Sequence, residues 1–251
     1  NRLYYGIQTT RAMHNFNITG YELDRDFVAA LGIVKAAAAR ANLRTSRMPA
    51  QVGTAIVKAA EEVADGKWQD QFVVDCIQGG AGTSMNMNAN EVIANRALEI
   101  LGSKKGNYEL VSPNNHVDMA QSANDVIPTA IRICTIRKTR KLLQAMQELA
   151  DAFTRKGEEF SQILKMGRTH LQDAVPITLG QEFQAYAEAI RRSMRRVEFA
   201  MESLHAVNMG ATAVGTGINA EPEYIAFVTQ ELGKLIGEPI RSAKNMVDAT
   251  Q

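Results

Sequence analysis

The sequence has only two cysteines, almost no net charge and no long apolar run, and each shortage removes a class of protein. Cys76 and Cys134 stand among apolar residues without a disulfide framework or the paired spacing of a metal site, so reduced, buried thiols are expected. Lys and Arg total 28 against 27 acidic residues, a net charge of +1, which leaves no general attraction for nucleic acid or an anionic membrane. The longest apolar run, residues 27–34, falls far short of the roughly 20 residues a spanning helix needs. No secretory signal opens the chain, so the cytoplasm is the expected compartment. Neither a GxxxxGKS/T loop nor a GxGxxG loop occurs, so nucleotide binding is not expected. No cluster of cysteine or acidic residues suits a metal, and neither a metal nor another cofactor is expected.

What is present is helical periodicity. With 251 residues, 45% of them hydrophobic, the chain can build a substantial core in one or two domains. The longest stretch follows QSAND: Ile127, Ala130, Ile131, Cys134, then Leu142, Leu143, Met146, Leu149, Ala150 and Phe153 recur at helical spacing. A helix over residues 128–160 would be roughly 50 Å long, and only neighbours of similar length would cover it. Ser122, Asn124 and Asp125 are capping types, Pro128 suits a first turn, and an uncovered helix start there would attract an anion.

Shorter helices are expected over residues 24–42, capped by Asp24 or Asp26; 49–65, closed by Gly66; 90–101, stopped by Gly102; and 221–236, ended by Gly237. Thr178 and Gln181 form a capping box that opens a second long helix to about Val207, with Phe183, Ala187, Ile190, Met194, Val197, Met201 and Leu204 on its inward face. Residues 3–21 read as a loop followed by short elements, residues 71–76 as β-prone, and residues 161–177 as a long irregular loop, a length that normally marks function. The class is mainly α. The start at Asn1-Arg2 without methionine, and the end at Gln251 just after a polar-apolar pattern of the kind that starts a helix, are expected of a piece of a longer protein.

Three polar stretches lie beside helix ends: GTSMNMN, QSAND and GRTHLQD. Together they offer Thr83, Ser122, Asn124, Thr169 and His170, with Arg168 nearby, which is equipment for a small anion. The glycines before Thr83 suit either close backbone approach to a ligand or a plain turn. Arg191, Arg192, Arg195 and Arg196 are read either as a phosphate-binding patch or as a solvated or inter-subunit helix face, and His14, His116 and His205 as structural residues.

The motifs YYGIQTTRA, QGGAGTSMNMNANEVIANRALEILG, SPNNHVDMAQSANDVIPTAI, GRTHLQDAVPITLGQEF and GATAVGTGINA, in this order along the whole chain, resemble the aspartases of the fumarase and aspartase superfamily. The resemblance implies an L-aspartase-like fold: a small mixed N-terminal domain over residues 1–117, then the N-terminal part of a long-helix bundle over residues 118–251. It also implies a homotetramer whose active sites are each built from three subunits, acting on a small dicarboxylate with L-aspartate giving fumarate and ammonia. By motif, Thr83 and Ser122 would bind the side-chain carboxylate, while Asn124, Thr169 and His170 would bind the amino and α-carboxylate end, His170 also being the candidate catalytic residue.

Two departures from the family pattern stand out. Ala123 occupies the position where aspartases usually carry threonine, and it offers only its backbone amide. The family's catalytic serine loop, GSSxMPxKxN, is absent from the sequence, and Ser46-Arg47-Met48-Pro49 is too faint an echo to replace it. Class II fumarase is the rival activity, disfavoured by GGAGTS and SPNN where fumarases show GSGTQ and HPND, and a noncatalytic helical fragment is the rival of another class.

Overall fold

Helices dominate the computed structural model, which describes residues 3–80 and 82–251; Asn1, Arg2 and Ala81, the last within the glycine-rich GGAGTS stretch, lie outside the described residues. In chain order the helices are α1 (Ile7–Asn15), α2 (Arg25–Arg44), α3 (Ala50–Ala64), α4 (Thr83–Ile100), α5 (Ala123–Glu159), α6 (Leu179–Glu202) and α7 (Pro222–Ile236). The strands are β1 (Leu164–Thr169), β2 (Gln172–Thr178), β3 (Ala206–Val207) and β4 (Arg241–Ser242). None of the described helices is long and apolar enough to cross a membrane. The chain groups into two compact units, one of residues up to Thr135 together with Leu204–Gln251, the other Ile136–Ser203.

In the first unit α2 is the central element, packed against α3 and α7 and buried on nearly every face. Asp24 caps it, its carboxylate accepting the N–H groups of Asp26 (2.9 Å) and Phe27 (3.3 Å). The alanine run 36–39 lets neighbours come close, and Gly32 is required: a Cβ there would meet the Ala64 nitrogen of α3 at 2.5 Å. β3 and β4 form a short parallel pair in the same unit.

Residues 3–21, expected as a loop followed by short elements, contain α1, a nine-residue helix with no side-chain cap of its own. Its cap comes from α4. The fully buried Glu91 accepts the N–H groups of Gly6 (2.8 Å), Gln8 (3.0 Å) and Thr9 (3.1 Å) and the Thr9 hydroxyl (2.7 Å), so one carboxylate satisfies orphan donors at the positive end of the helix. Replacing Glu91 by Gln keeps the shape but turns an N–H toward those donors, and about 1.5–3 kcal/mol of stability is expected to go. A fall in the urea midpoint at unchanged m checks this; an unchanged midpoint contradicts it.

Residues 71–76 form no strand. Their backbone is paired by side chains instead: Asn88 Oδ1 accepts the Val73 N–H (3.1 Å) and Asn88 Nδ2 donates to the Gln71 carbonyl (2.9 Å). The helix expected to begin at residue 90 begins at Thr83, because the buried amides of Asn86, Asn88 and Asn95 bond other segments rather than competing with their own backbone.

The second unit holds the later part of α5, the β1–β2 hairpin and α6. Thr178 and Gln181 form the expected capping box, with bonds of 3.1 and 2.9 Å. Phe153 of α5 and Phe160 just after it meet Phe183 and Tyr186 of α6 with ring centroids 5.3–6.0 Å apart. α6 stops at Glu202, five residues short of the expected end, where a 3₁₀ turn at Ser203–His205 leads into β3. The irregular loop expected over residues 161–177 is an antiparallel hairpin with an irregularity between Met166 and Arg168. Leu142 and Leu149, part of the apolar periodicity of α5, are 50% and 43% exposed.

Candidate active site

The start of α5 is built by its own sequence. Ser122 Oγ accepts the Asn124 N–H (3.2 Å), and Asp125 Oδ1 accepts the Ser122 N–H (2.9 Å), a reciprocal cap. The Ser122 hydroxyl hydrogen is not consumed by this bond and stays available to an acceptor. The helix begins at Ala123, so Pro128 lies inside it rather than in the first turn. Lacking an N–H, Pro128 leaves the Asn124 carbonyl without its usual partner, and Asn208 Nδ2 supplies one at 3.1 Å. The Asn124 side chain in turn donates to the Ala213 carbonyl (2.7 Å). Gly210 and Thr212 donate their N–H groups to Asp125 Oδ2 at 3.1 and 2.9 Å. Burial pushes the Asp125 carboxyl up to about 7, against the pull of these backbone donors and of Lys35.

Behind this start lies a charge that the periodicity of α2 conceals. Lys35 is wholly buried, and its Nζ donates to Asp118 Oδ1 (2.7 Å) and Gln121 Oε1 (2.9 Å). Asn86, on the first turn of α4, donates to the same Asp118 oxygen (3.1 Å). Burial lowers the Lys35 pKa while Asp118 works in the opposite direction. α2, the start of α4 and the segment before α5 are thereby tied together around one ion pair. A lysine in the apolar run GIVKAAAA had to find an acidic partner, and that was the available signal for this network in the sequence. The S-x-x-D spacing of Ser122 and Asp125 was the signal for the cap.

Thr83 is the first residue of α4, exposed, and the N-cap position Gly82 offers no side chain to the helix. A Cβ on Gly82 would meet Ile127 Cγ1 at 3.0 Å, so the α4 start abuts the second turn of α5. Ser122 opens onto a cleft of about 580 Å³ lined also by Asn114, Asn115, Gln121, Thr212 and Thr216. Ala123 is 9% exposed, nearly covered. Arg47, from the faint echo of the serine loop, is bonded to Glu221 Oε2 (3.0 Å), and Met48 is buried, so that stretch is a packed connection between α2 and α3.

Thr169 and His170 belong to the second unit. Thr169 ends β1, paired with Gln172, and His170 with Leu171 forms the two-residue turn. Both turn residues have positive φ, 47° and 64°, without being glycine, a conformation that hairpin turns of this kind demand and that strains ordinary residues. His170 is exposed at the tip, and Leu171 is 91% exposed. Arg168 is paired with Asp173 at 3.5 Å. Of the arginine run on α6, Arg191 is bonded to Glu188 and to the Thr154 hydroxyl, both at 2.7 Å, while Arg192, Arg195 and Arg196 are exposed.

Comparison with known proteins gives the family to which the chain belongs. A family model described as Lyase matches residues 2–251. An aspartate ammonia-lyase of Bacillus subtilis (strain 168) is 57% identical over 249 residues, covering 99% of this chain and 52% of that protein. A crystal structure of fumarate lyase:delta crystallin from Brucella melitensis, bound to cobalt, superposes with a TM-score of 0.96 at 46% identity, over 99% of this chain and 55% of that one. A class II fumarase from Schistosoma mansoni gives a TM-score of 0.92 at 31% identity, over 99% and 56%. The chain spans about half the length of the curated relatives it matches. Its matched length, its helical fold and its ordered motifs together establish that the chain belongs to the Lyase family, the fumarase and aspartase superfamily.

Proposed function

We propose that the chain supplies most of the substrate-binding groups of an aspartate ammonia-lyase, which converts L-aspartate reversibly to fumarate and ammonia. The observation that carries the reading is the open start of α5. Ser122, immediately before its first residue, lines a cleft and keeps its hydroxyl hydrogen available, in a chain 57% identical to an aspartate ammonia-lyase and 31% identical to a fumarase. A base removes a proton from the carbon next to the side-chain carboxylate, which becomes an enediolate carrying extra negative charge; the amine then leaves. Thr83 and Ser122 hold that carboxylate, and hydroxyls beside two helix starts favour an anion that gains charge in the transition state. Asn124, Thr169 and His170 hold the amino and α-carboxylate end. Residues 1–117 form the N-terminal domain of such an enzyme and residues 118–251 the first part of its bundle, in a homotetramer with sites shared by three subunits. Thr83, Ser122 and Asn124 come to each site from one subunit, and Thr169 and His170 from the hairpin tip of another.

A chimera joining residues 1–251 to the remaining part of the Bacillus subtilis relative gives the chain a complete site to act in. It should release ammonia from L-aspartate and, from fumarate without ammonium, form almost no malate, because a pocket built for an ammonium leaves its acceptors unpaired by a hydroxyl. Product analysis of the two incubations decides the matter, and efficient malate formation would favour the fumarase activity.

A further inference from the structure

Asp125 touches no solvent and is not among the groups assigned to the substrate, yet its carboxylate accepts three hydrogen bonds. It receives Ser122 N–H on one oxygen and Gly210 and Thr212 N–H on the other. Asn208 reaches the Asn124 carbonyl, and Asn124 reaches the Ala213 carbonyl, so bonds run in both directions between the first turn of α5 and residues 208–213. That segment is held in a backbone form it would not keep alone. Gly210 and Thr212 have φ of 91° and 60°, left-handed values that a β-branched residue adopts only under constraint, and a Cβ on Gly210 would meet Ile225 Cγ1 at 2.7 Å.

We propose that Asp125 is a positioning residue that clamps the first turn of α5 to residues 208–213 and so fixes Ser122 and Asn124 for substrate. The inference rests on the dicarboxylate site proposed above. A carboxylate is needed because three N–H donors converge on it, and an amide of the same shape would turn its own N–H toward at least one of them. The clamp also acts on the cleft directly, since Thr212 and Ala213 line it together with Ser122. The charged and titratable groups acting on Asp125 are Lys35, itself paired to Asp118, and the buried Tyr224 hydroxyl of α7. None of them donates a hydrogen bond to its carboxylate, so the backbone N–H groups alone set its orientation.

The test uses the chimera with Asp125→Asn and, separately, Asn208→Ala, which breaks the clamp from the loop side without touching the carboxylate. Amide exchange and steady-state kinetics are measured well below each variant's unfolding midpoint. Asp125→Asn should speed exchange in residues 122–126 and 208–213 while α2 and α3 keep their protection, raise KM for aspartate, and lower kcat/KM by about ten- to a hundred-fold. Asn208→Ala should move the same quantities in the same direction and by less. Exchange that rises evenly through the unit, or kcat/KM within about twofold of the parent, would overturn the proposal. Should Asp125→Asn fail to fold, the Asn208→Ala kinetics and exchange decide alone by the same criteria. Should the unsubstituted chimera not act on aspartate, the reaction assignment fails by itself, and the clamp is still judged by exchange in the two segments and by the affinity for fumarate.

Discussion

Residues 1–251 expressed by themselves should release no measurable ammonia from L-aspartate. The family's GSSxMPxKxN loop, which by resemblance supplies the proton-abstracting serine and a lysine and asparagine for the α-carboxylate, is absent from this sequence, and Ser46-Arg47-Met48-Pro49 is packed between α2 and α3. Substrate-binding groups without a base leave the hardest step uncatalysed; general base catalysis alone contributes about a hundred- to ten-thousand-fold. Cover is also missing for apolar positions along α5: Ile131 and Leu142 are 51% and 50% exposed. Such positions favour self-association of the isolated chain. The measurement is ammonia release by the chain alone, then after mixing with the separately expressed remaining part of the Bacillus subtilis relative. Restoration only on mixing supports the account, and activity of the chain alone refutes it.

In the chimera, Thr83→Ala and Asn124→Ala should each lower kcat/KM by an amount worth roughly 2–4 kcal/mol, the scale seen when one donor to a developing oxyanion is removed. Thr83 is the cleaner of the two, because it is exposed at the start of α4 with no side-chain hydrogen bond to another described residue. Asn124→Ala also loses the bond to the Ala213 carbonyl, so its unfolding midpoint must be compared alongside its kinetics. Near-parental turnover in both variants would remove these residues from the site.

The helices were legible wherever apolar periodicity coincided with a cap, as at Asp24 for α2, the Thr178–Gln181 box for α6 and Gly237 after α7. Periodicity failed where long-range hydrogen bonds overruled local preference. The asparagine-rich start of α4 has low intrinsic helix propensity, and it is helical because its amides bond Asp118, Val73 and Gln71. The β1–β2 hairpin alternates apolar and polar residues only at Leu164-Lys165-Met166, and its turn carries His170-Leu171 in place of the Asn-Gly that would have announced it. Pro128 was read as a helix start because the compensation for its missing N–H, Asn208, lies eighty residues further on in sequence. Of the candidate site, Ser122 and Asn124 could be read from capping chemistry. The cap made by Asp125 and the need of Lys35 for an acidic partner were also signalled, but the identity of that partner, Asp118, and the bonds of Asp125 to Gly210 and Thr212 come from segments that only the fold brings together.

Mixing two inactive variants tests most directly whether the polar stretches of both units serve one site shared between subunits. Chimeras carrying Thr83→Ala and His170→Ala, each nearly inactive alone, are dissociated, combined and reassembled, and aspartate turnover is measured. If Thr83 and His170 reach each site from different subunits, some sites in mixed tetramers contain neither substitution, and activity should rise well above that of either parent. A mixture no more active than the average of its parents would contradict the shared site.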